Sequence, residues 1–194
     1  MKSPGPILLV LVVSVPGFRL PAQTVEFAGE SINVRIHDST CELEGVYTFR
    51  NSGPSPADRA IFYPLLRTGD LPYPDSVAVM DDVTGDRMHF EPAREGILFH
   101  LEVRPERPRR IRIWYRQQTP ARRFEYILTT TRSWGKPLDR AEFHIQIPES
   151  LRLLSCSPPC DTREQVDRVT VYHVLKRNFM PVSNLAITWK RRTR

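Results

Sequence analysis

Cysteine is scarce, with three in 194 residues, and that excludes the disulfide-dense scaffolds that stand in for a core in small secreted domains. Long hydrophobic runs are absent. The one apolar stretch, residues 7–15 (ILLVLVVSV), is broken only by Ser14. As a helix it would reach ~14 Å, about half of a ~30 Å hydrocarbon core, so it does not span a membrane. Lysine is nearly missing, with four against 24 arginines. Glycine is low, nine against 18 prolines, which is not a collagen-like composition. Catalytic punctuation is also lacking: there is no Gly-x-Ser-x-Gly, no Ser-x-x-Lys, no P-loop and no dinucleotide fingerprint. His37, His89, His100, His144 and His173 show neither HExxH nor any paired spacing for zinc. The sequence therefore predicts no enzyme, no cofactor and no metal site, although a triad assembled from distant residues is geometric and leaves a hydrolase with a cryptic site as an alternative.

What is present belongs to an ordinary globular chain, 40% hydrophobic and 26% charged. Lys2 opens the N-terminus, the apolar stretch follows, and Pro16-Gly17 then breaks any helix before Leu20-Pro21-Ala22 offers a small residue for cleavage. That order is the one a secretory signal uses. Residues 1–22 are accordingly expected to be removed, leaving 26 basic against 22 acidic residues in a mature net charge of +4. Export places the protein in the periplasm or outside the cell. Residues 23–189 are expected to form one domain, and residues 190–194 (KRRTR) a frayed basic tail.

The mature chain reads as consecutive strands. Ile32, Val34 and Ile36 alternate with Asn33 and Arg35, and Cys41, Leu43, Gly45, Tyr47 and Phe49 share one face of the next segment. Further strand signals cover residues 60–63, 77–80, 87–90, 96–103, 110–116, 124–131, 141–147, 166–175 and 185–189. No window carries a helical apolar stripe. About ten short strands argue an all-β, immunoglobulin-like antiparallel β-sandwich. The expected core comprises Ile32, Val34, Leu43, Tyr47, Phe49, Phe62, Phe99, Leu101, Ile113, Tyr126, Phe143, Ile145, Val171 and Trp189.

Within that pattern, Tyr47-x-Phe49-x-Asn51 precedes Phe62-Tyr63-Pro64, and Tyr126-x-Leu128-x-Thr130-x-x-x-Trp134 precedes Phe143-x-Ile145-x-Ile147-Pro148 and Asn184-Leu185-x-Ile187-x-Trp189. The series resembles exported bacterial β-sandwich domains of unknown function over about residues 25–189. The resemblance implies an immunoglobulin-like sandwich outside the cytoplasm, with no established catalytic residues. Such relatives often continue into a C-terminal membrane segment; the residues at 190–194 do not begin one, so no anchor is implied.

Three clusters are candidates for chemistry. Cys156 and Cys160 flank Ser157-Pro158-Pro159 and are the expected disulfide. An extended polyproline linker would hold them ~12 Å apart, so the bridge requires a turn. Bridges involving Cys41 are the alternative connectivity, but Cys41 lies on an apolar strand face, where a buried thiol is the plain expectation. Asp81, Asp82 and Asp86 share a turn that could hold a hard cation, although aspartate also favours turns for local hydrogen bonding. Residues 104–123 carry eight arginines against one acid. Arg110, Arg112 and Arg116 share strand parity, and forks on one face suit phosphate, sulfate or carboxylate. Arginine-rich coding and a solvated strand face account for the same residues.

The expected role is a non-enzymatic interaction module with an unknown protein or envelope partner. Binding of an anionic polysaccharide or lipid headgroup through residues 104–123 is the alternative, and no nucleic acid is expected in that compartment.

Overall fold

The computed structural model describes residues 24–192. The expected export signal at residues 1–22 lies outside them. Thirteen strands and one short 3-10 helix are present among the described residues. In chain order they are β1 Val25–Ile36, β2 Thr40–Asn51, β3 Ala57–Pro64, β4 Ser76–Asp81, β5 Glu91–Ala93, β6 Gly96–Val103, β7 Arg109–Gln118, β8 Arg123–Tyr126, the 3-10 helix Thr129–Trp134, β9 Leu138–Pro148, β10 Leu151–Ser157, β11 Thr162–Val166, β12 Val169–Phe179 and β13 Leu185–Arg191.

Alternation of apolar and polar residues is what commits these segments to sheets with one buried face. Seven strands form the large sheet in the order β11-β12-β9-β1-β2-β7-β4, and two three-stranded sheets, β10-β13-β8 and β3-β6-β5, complete the fold. Inward residues of all three sheets meet in one buried cluster. Ile32 and Val34 of β1, Leu43 of β2, Ile113 of β7 and Phe143 of β9 face Phe99 of β6, Phe124 of β8 and Ile187 of β13 there. The expected all-β sandwich is what the chain forms.

Several details differ from the sequence reading. The large sheet is mixed, not antiparallel throughout, because β1 and β9 run parallel from Gly29↔Arg140 to Arg35↔Gln146. Period-2 patterning reports which face is buried and carries no information on a neighbour's direction. Residues 87–90 are not a strand; Arg87 makes only a single bridge to Met80. Residues 124–131 divide into β8 and the start of the 3-10 helix. Residues 166–175 contain a turn at Asp167, whose φ is +51°, and this makes the hairpin β11–β12.

Two of the expected core residues are not buried. Phe62 is 52% exposed, because Ile61 and Tyr63 take the inward positions of β3. Val171 is half-buried, and its neighbour β11 is exposed along its whole length. The expected tail is also ordered through Arg192. β13 pairs Arg191 with Leu151, Arg191 and Arg122 both bind the Asp38 carboxylate, and the Arg192 amide donates to Ser150 O at 2.9 Å.

Gly45 shares its inward face with Tyr47, and the Tyr47 ring lies back over it. A Cβ at residue 45 would stand 2.3 Å from Tyr47 Oη. Alanine in place of a strand glycine ordinarily stabilises by up to about 1 kcal/mol. Here Gly45→Ala is expected to destabilise by about 1–3 kcal/mol in urea unfolding, because the ring must leave its well. A gain in stability would show that the ring has room to move.

Candidate functional site

The layer opposite the large sheet is split in two. β8 ends one three-stranded sheet and β3 ends the other, and no ladder joins them. A cavity of about 360 Å³ lies at this division. Phe27 and Glu30 of β1, Tyr47 and Phe49 of β2, and Ile111 and Ile113 of β7 line it from the large sheet. Arg59 to Pro64 of β3 contribute on one side, and Tyr126, Thr130, Ser133 and Trp134 on the other.

A β-bulge puts Glu30 there. The β1–β2 register steps from Phe27↔Phe49 to Gly29↔Thr48, leaving Ala28 as the extra residue. In a regular strand Phe27 and Glu30, three residues apart, would point to opposite faces. The bulge turns both toward the cavity. Gly29 permits the close approach of β9 at this point, since a Cβ would fall 2.7 Å from Arg140 O.

Glu30 is 5% exposed. Its Oε2 accepts a hydrogen bond from Tyr126 Oη at 2.7 Å. Tyr126 Oη lies 3.3 Å from Tyr47 Oη, which in turn lies 2.7 Å from Tyr63 Oη. Oε1 of Glu30 is buried and has no hydrogen-bond partner among the described residues. Burial raises all three phenols well above their ordinary value, so they stay neutral. Burial also pushes the Glu30 carboxyl up to about 7, against the opposing hydrogen bond from Tyr126. The carboxyl thus exchanges its proton near neutrality.

Beside it, the rings of Phe27, Phe49 and Trp134 form a triangle with centroid separations of 5.4, 5.7 and 6.0 Å. Arg59 is half-buried in the same lining, and its guanidinium makes no hydrogen bond or ion pair among the described residues. Sequence reasoning missed both charged residues. Glu30 was legible in principle, because it stands in phase with Ile32, Val34 and Ile36, a carboxylate at a core position. Arg59 shares parity with Ile61 and Tyr63 in the same way.

Arg110, Arg112 and Arg116 do stand together on the outer face of β7. Asp82 occupies two of them. Its Oδ2 contacts Arg110 Nη2, and its Oδ1 accepts from Arg112 Nε at 3.0 Å and Nη2 at 2.7 Å. Arg109 pairs with Asp81. Asp81 Oδ1 also accepts the amides of Val83 and Thr84, and these bonds hold its carboxyl below the usual range. The aspartates weighed as cation ligands and the arginines weighed as anion forks are therefore largely each other's partners. Arg116 is exposed, with no ion pair among the described residues.

Cys156 and Cys160 are free thiols at the ends of a linker in which Ser157–Pro158 is cis, and the Cys156 thiol donates to Pro158 O at 3.2 Å. The expected disulfide is not formed, but the linker is turned and not extended. The neighbouring thiol lowers Cys160, whereas its neighbour and burial raise Cys156. Cys41 is buried, and burial raises its thiol. His144 and His173 face each other across β9 and β12 with centroids 5.0 Å apart. Neither the His100–Asp58 contact nor the His173–Glu164 contact involves a residue that lines the cavity.

No protein-family model matches the chain, and no curated protein does. Solved structures share its fold. A candidate nutrient binding protein of Legionella pneumophila is 11% identical with a TM-score of 0.66, over 86% of this chain and 67% of that one. An M1 zinc metallopeptidase of Deinococcus radiodurans is 12% identical with a TM-score of 0.53, over 86% of this chain and 42% of that one. The chain thus spans well under half of the peptidase. At these identities the likeness is one of fold.

The raised Glu30 carboxyl has a consequence for stability. Its unfolded value is 4.5 and its folded value about 7, so between these limits the native state binds more protons than the unfolded chain. This group's contribution makes stability fall as pH rises from about 4.5 to 7, by about 3 kcal/mol, and level off above. Glu30→Gln keeps the hydrogen bond from Tyr126 and removes the ionisation. Urea unfolding at about pH 5 and pH 8 should show the variant gaining on the parent at the higher pH. Equal differences at both pH values would contradict the assignment.

Proposed function

We propose that this protein is an exported, non-enzymatic β-sandwich that binds a small ligand in the cleft of its split layer. The observation that carries this reading is the unpartnered Oε1 of Glu30 in an aromatic-walled cavity. A buried carboxyl is costly unless its hydrogen-bonding capacity is filled, and a core position asks for an apolar side chain. Its presence next to a cavity of ligand size is accounted for by a ligand that supplies the missing donor. The cavity offers Thr130, Thr131 and Ser133, but none of these hydroxyls is hydrogen-bonded to Glu30, the carboxylate in the lining that could act as their base. That favours binding over nucleophilic catalysis. The name of the Legionella pneumophila structure accords with a binding role.

Export rests on the charge, apolar run and small-residue order of residues 1–22, and an oxidising compartment would convert the adjacent Cys156 and Cys160 thiols into a disulfide. An envelope partner protein remains part of this reading. The anionic polysaccharide or lipid headgroup alternative is weakened by the hold of Asp82 on Arg110 and Arg112, which leaves Arg116 as the one fork of the three without a counter-charge among the described residues.

Benzyl alcohol, a neutral probe, tests the cleft. Saturable shifts of the Trp134 indole N–H in NMR, with Trp114 unmoved, are expected; shifts at neither or at both equally would remove the cleft as the site. Protein recovered from export-competent cells should begin at Gln23, and reduction should raise its intact mass by one disulfide. Retention of residues 1–22 would overturn the export reading.

A further inference from the structure

The cleft carries two charged groups of opposite sign that have no counter-charge among the described residues. Glu30 belongs to the end of the cavity where Tyr126, Tyr47 and Tyr63 link hydroxyls. Arg59 lies four residues before Tyr63 on β3, in phase with it, and lines the same cavity. The two do not form an ion pair with each other. A simple cation would satisfy Glu30 and meet the field of Arg59; a simple anion would do the reverse. Only a ligand bearing both charges leaves neither group unpaired.

The remaining lining sets the rest of the ligand. Phe27, Phe49 and Trp134 form an apolar, aromatic wall, and rings of this kind also favour an ammonium near their faces. From these features we infer that the cleft takes a zwitterionic α-amino acid with an apolar side chain, its ammonium on Glu30 Oε1, its carboxylate on Arg59 and its side chain against the aromatic wall. This rests on the cleft being the ligand site. The ammonium supplies the donor that Oε1 lacks, and a guanidinium fork matches a carboxylate in geometry. The tyrosine chain holds the other carboxylate oxygen and fixes the orientation of the acceptor.

The ligand needs the ionised form of Glu30. Its carboxyl titrates at about 7 in the empty cleft, so ammonium binding displaces a proton, and affinity should rise between about pH 5 and pH 8.

Titration calorimetry with the purified protein decides the matter, using L-phenylalanine, phenethylamine (which lacks the carboxylate) and 3-phenylpropionate (which lacks the ammonium). L-phenylalanine is expected to bind about 10- to 100-fold more tightly than either half-analogue. Glu30→Gln should weaken L-phenylalanine by a similar factor, abolish the rise with pH and leave 3-phenylpropionate unchanged. Arg59→Gln should weaken L-phenylalanine and leave phenethylamine unchanged.

Either half-analogue binding as tightly as L-phenylalanine overturns the inference. So does benzyl alcohol shifting Trp134 while L-phenylalanine fails to bind, and in that case the cleft still stands as a ligand site. If neither benzyl alcohol nor L-phenylalanine binds, both readings fall. The ligand series on the parent protein decides the question even if a variant does not fold.

Discussion

The hydrogen bond from Tyr126 to Glu30 joins parts of the molecule that no backbone ladder connects. Tyr126 ends β8 in one half of the split layer, and Glu30 sits on β1, near the middle of the large sheet. Through Tyr47 the same chain of hydroxyls reaches Tyr63 on β3 in the other half. Three sheets are therefore pinned at one polar point inside an apolar core. In a low-dielectric interior such a network is strong when filled and costly when it is not. One oxygen of it is unfilled, and that oxygen is why the cleft reads as a site and not as a packing fault.

The polar chain depends on small backbone features. The bulge at Ala28 brings Glu30 into the same interior as Phe27, and Gly29 lets β9 come close enough to pair in parallel at that point. Gly45 leaves room for the Tyr47 ring. A side chain at residue 29 would meet Arg140 O, and one at residue 45 would meet the Tyr47 ring.

On the outer surface the opposite logic holds. The arginines of β7 are concentrated enough to read as an anion face, yet the turn after β4 folds Asp81 and Asp82 back onto them. The arginine ends of these pairs are open to solvent while the aspartate side chains are nearly buried, and the pairs remove two of the three forks from service. The aspartates likewise spend their oxygens on arginines and turn amides. Each cluster looked functional in isolation because local sequence shows one sign of charge at a time.

Alternation in β1, β2, β6, β7 and β9 determined the all-β class, the faces of the strands and most of the core, because burying one face of a sheet is a local, period-2 requirement. Phe62 escaped that reading when its neighbours Ile61 and Tyr63 took the inward phase. The parallel pairing of β1 with β9, the splitting of the second layer and the meeting of Arg110 with Asp82 were decided by tertiary structure, since each joins residues whose sequence separation leaves no periodic trace. The site belongs to the same class. Glu30, Tyr47, Tyr63, Tyr126 and Arg59 come from four strands, and only the closing of three sheets on one another gives a carboxylate, an arginine and an aromatic wall a common cavity.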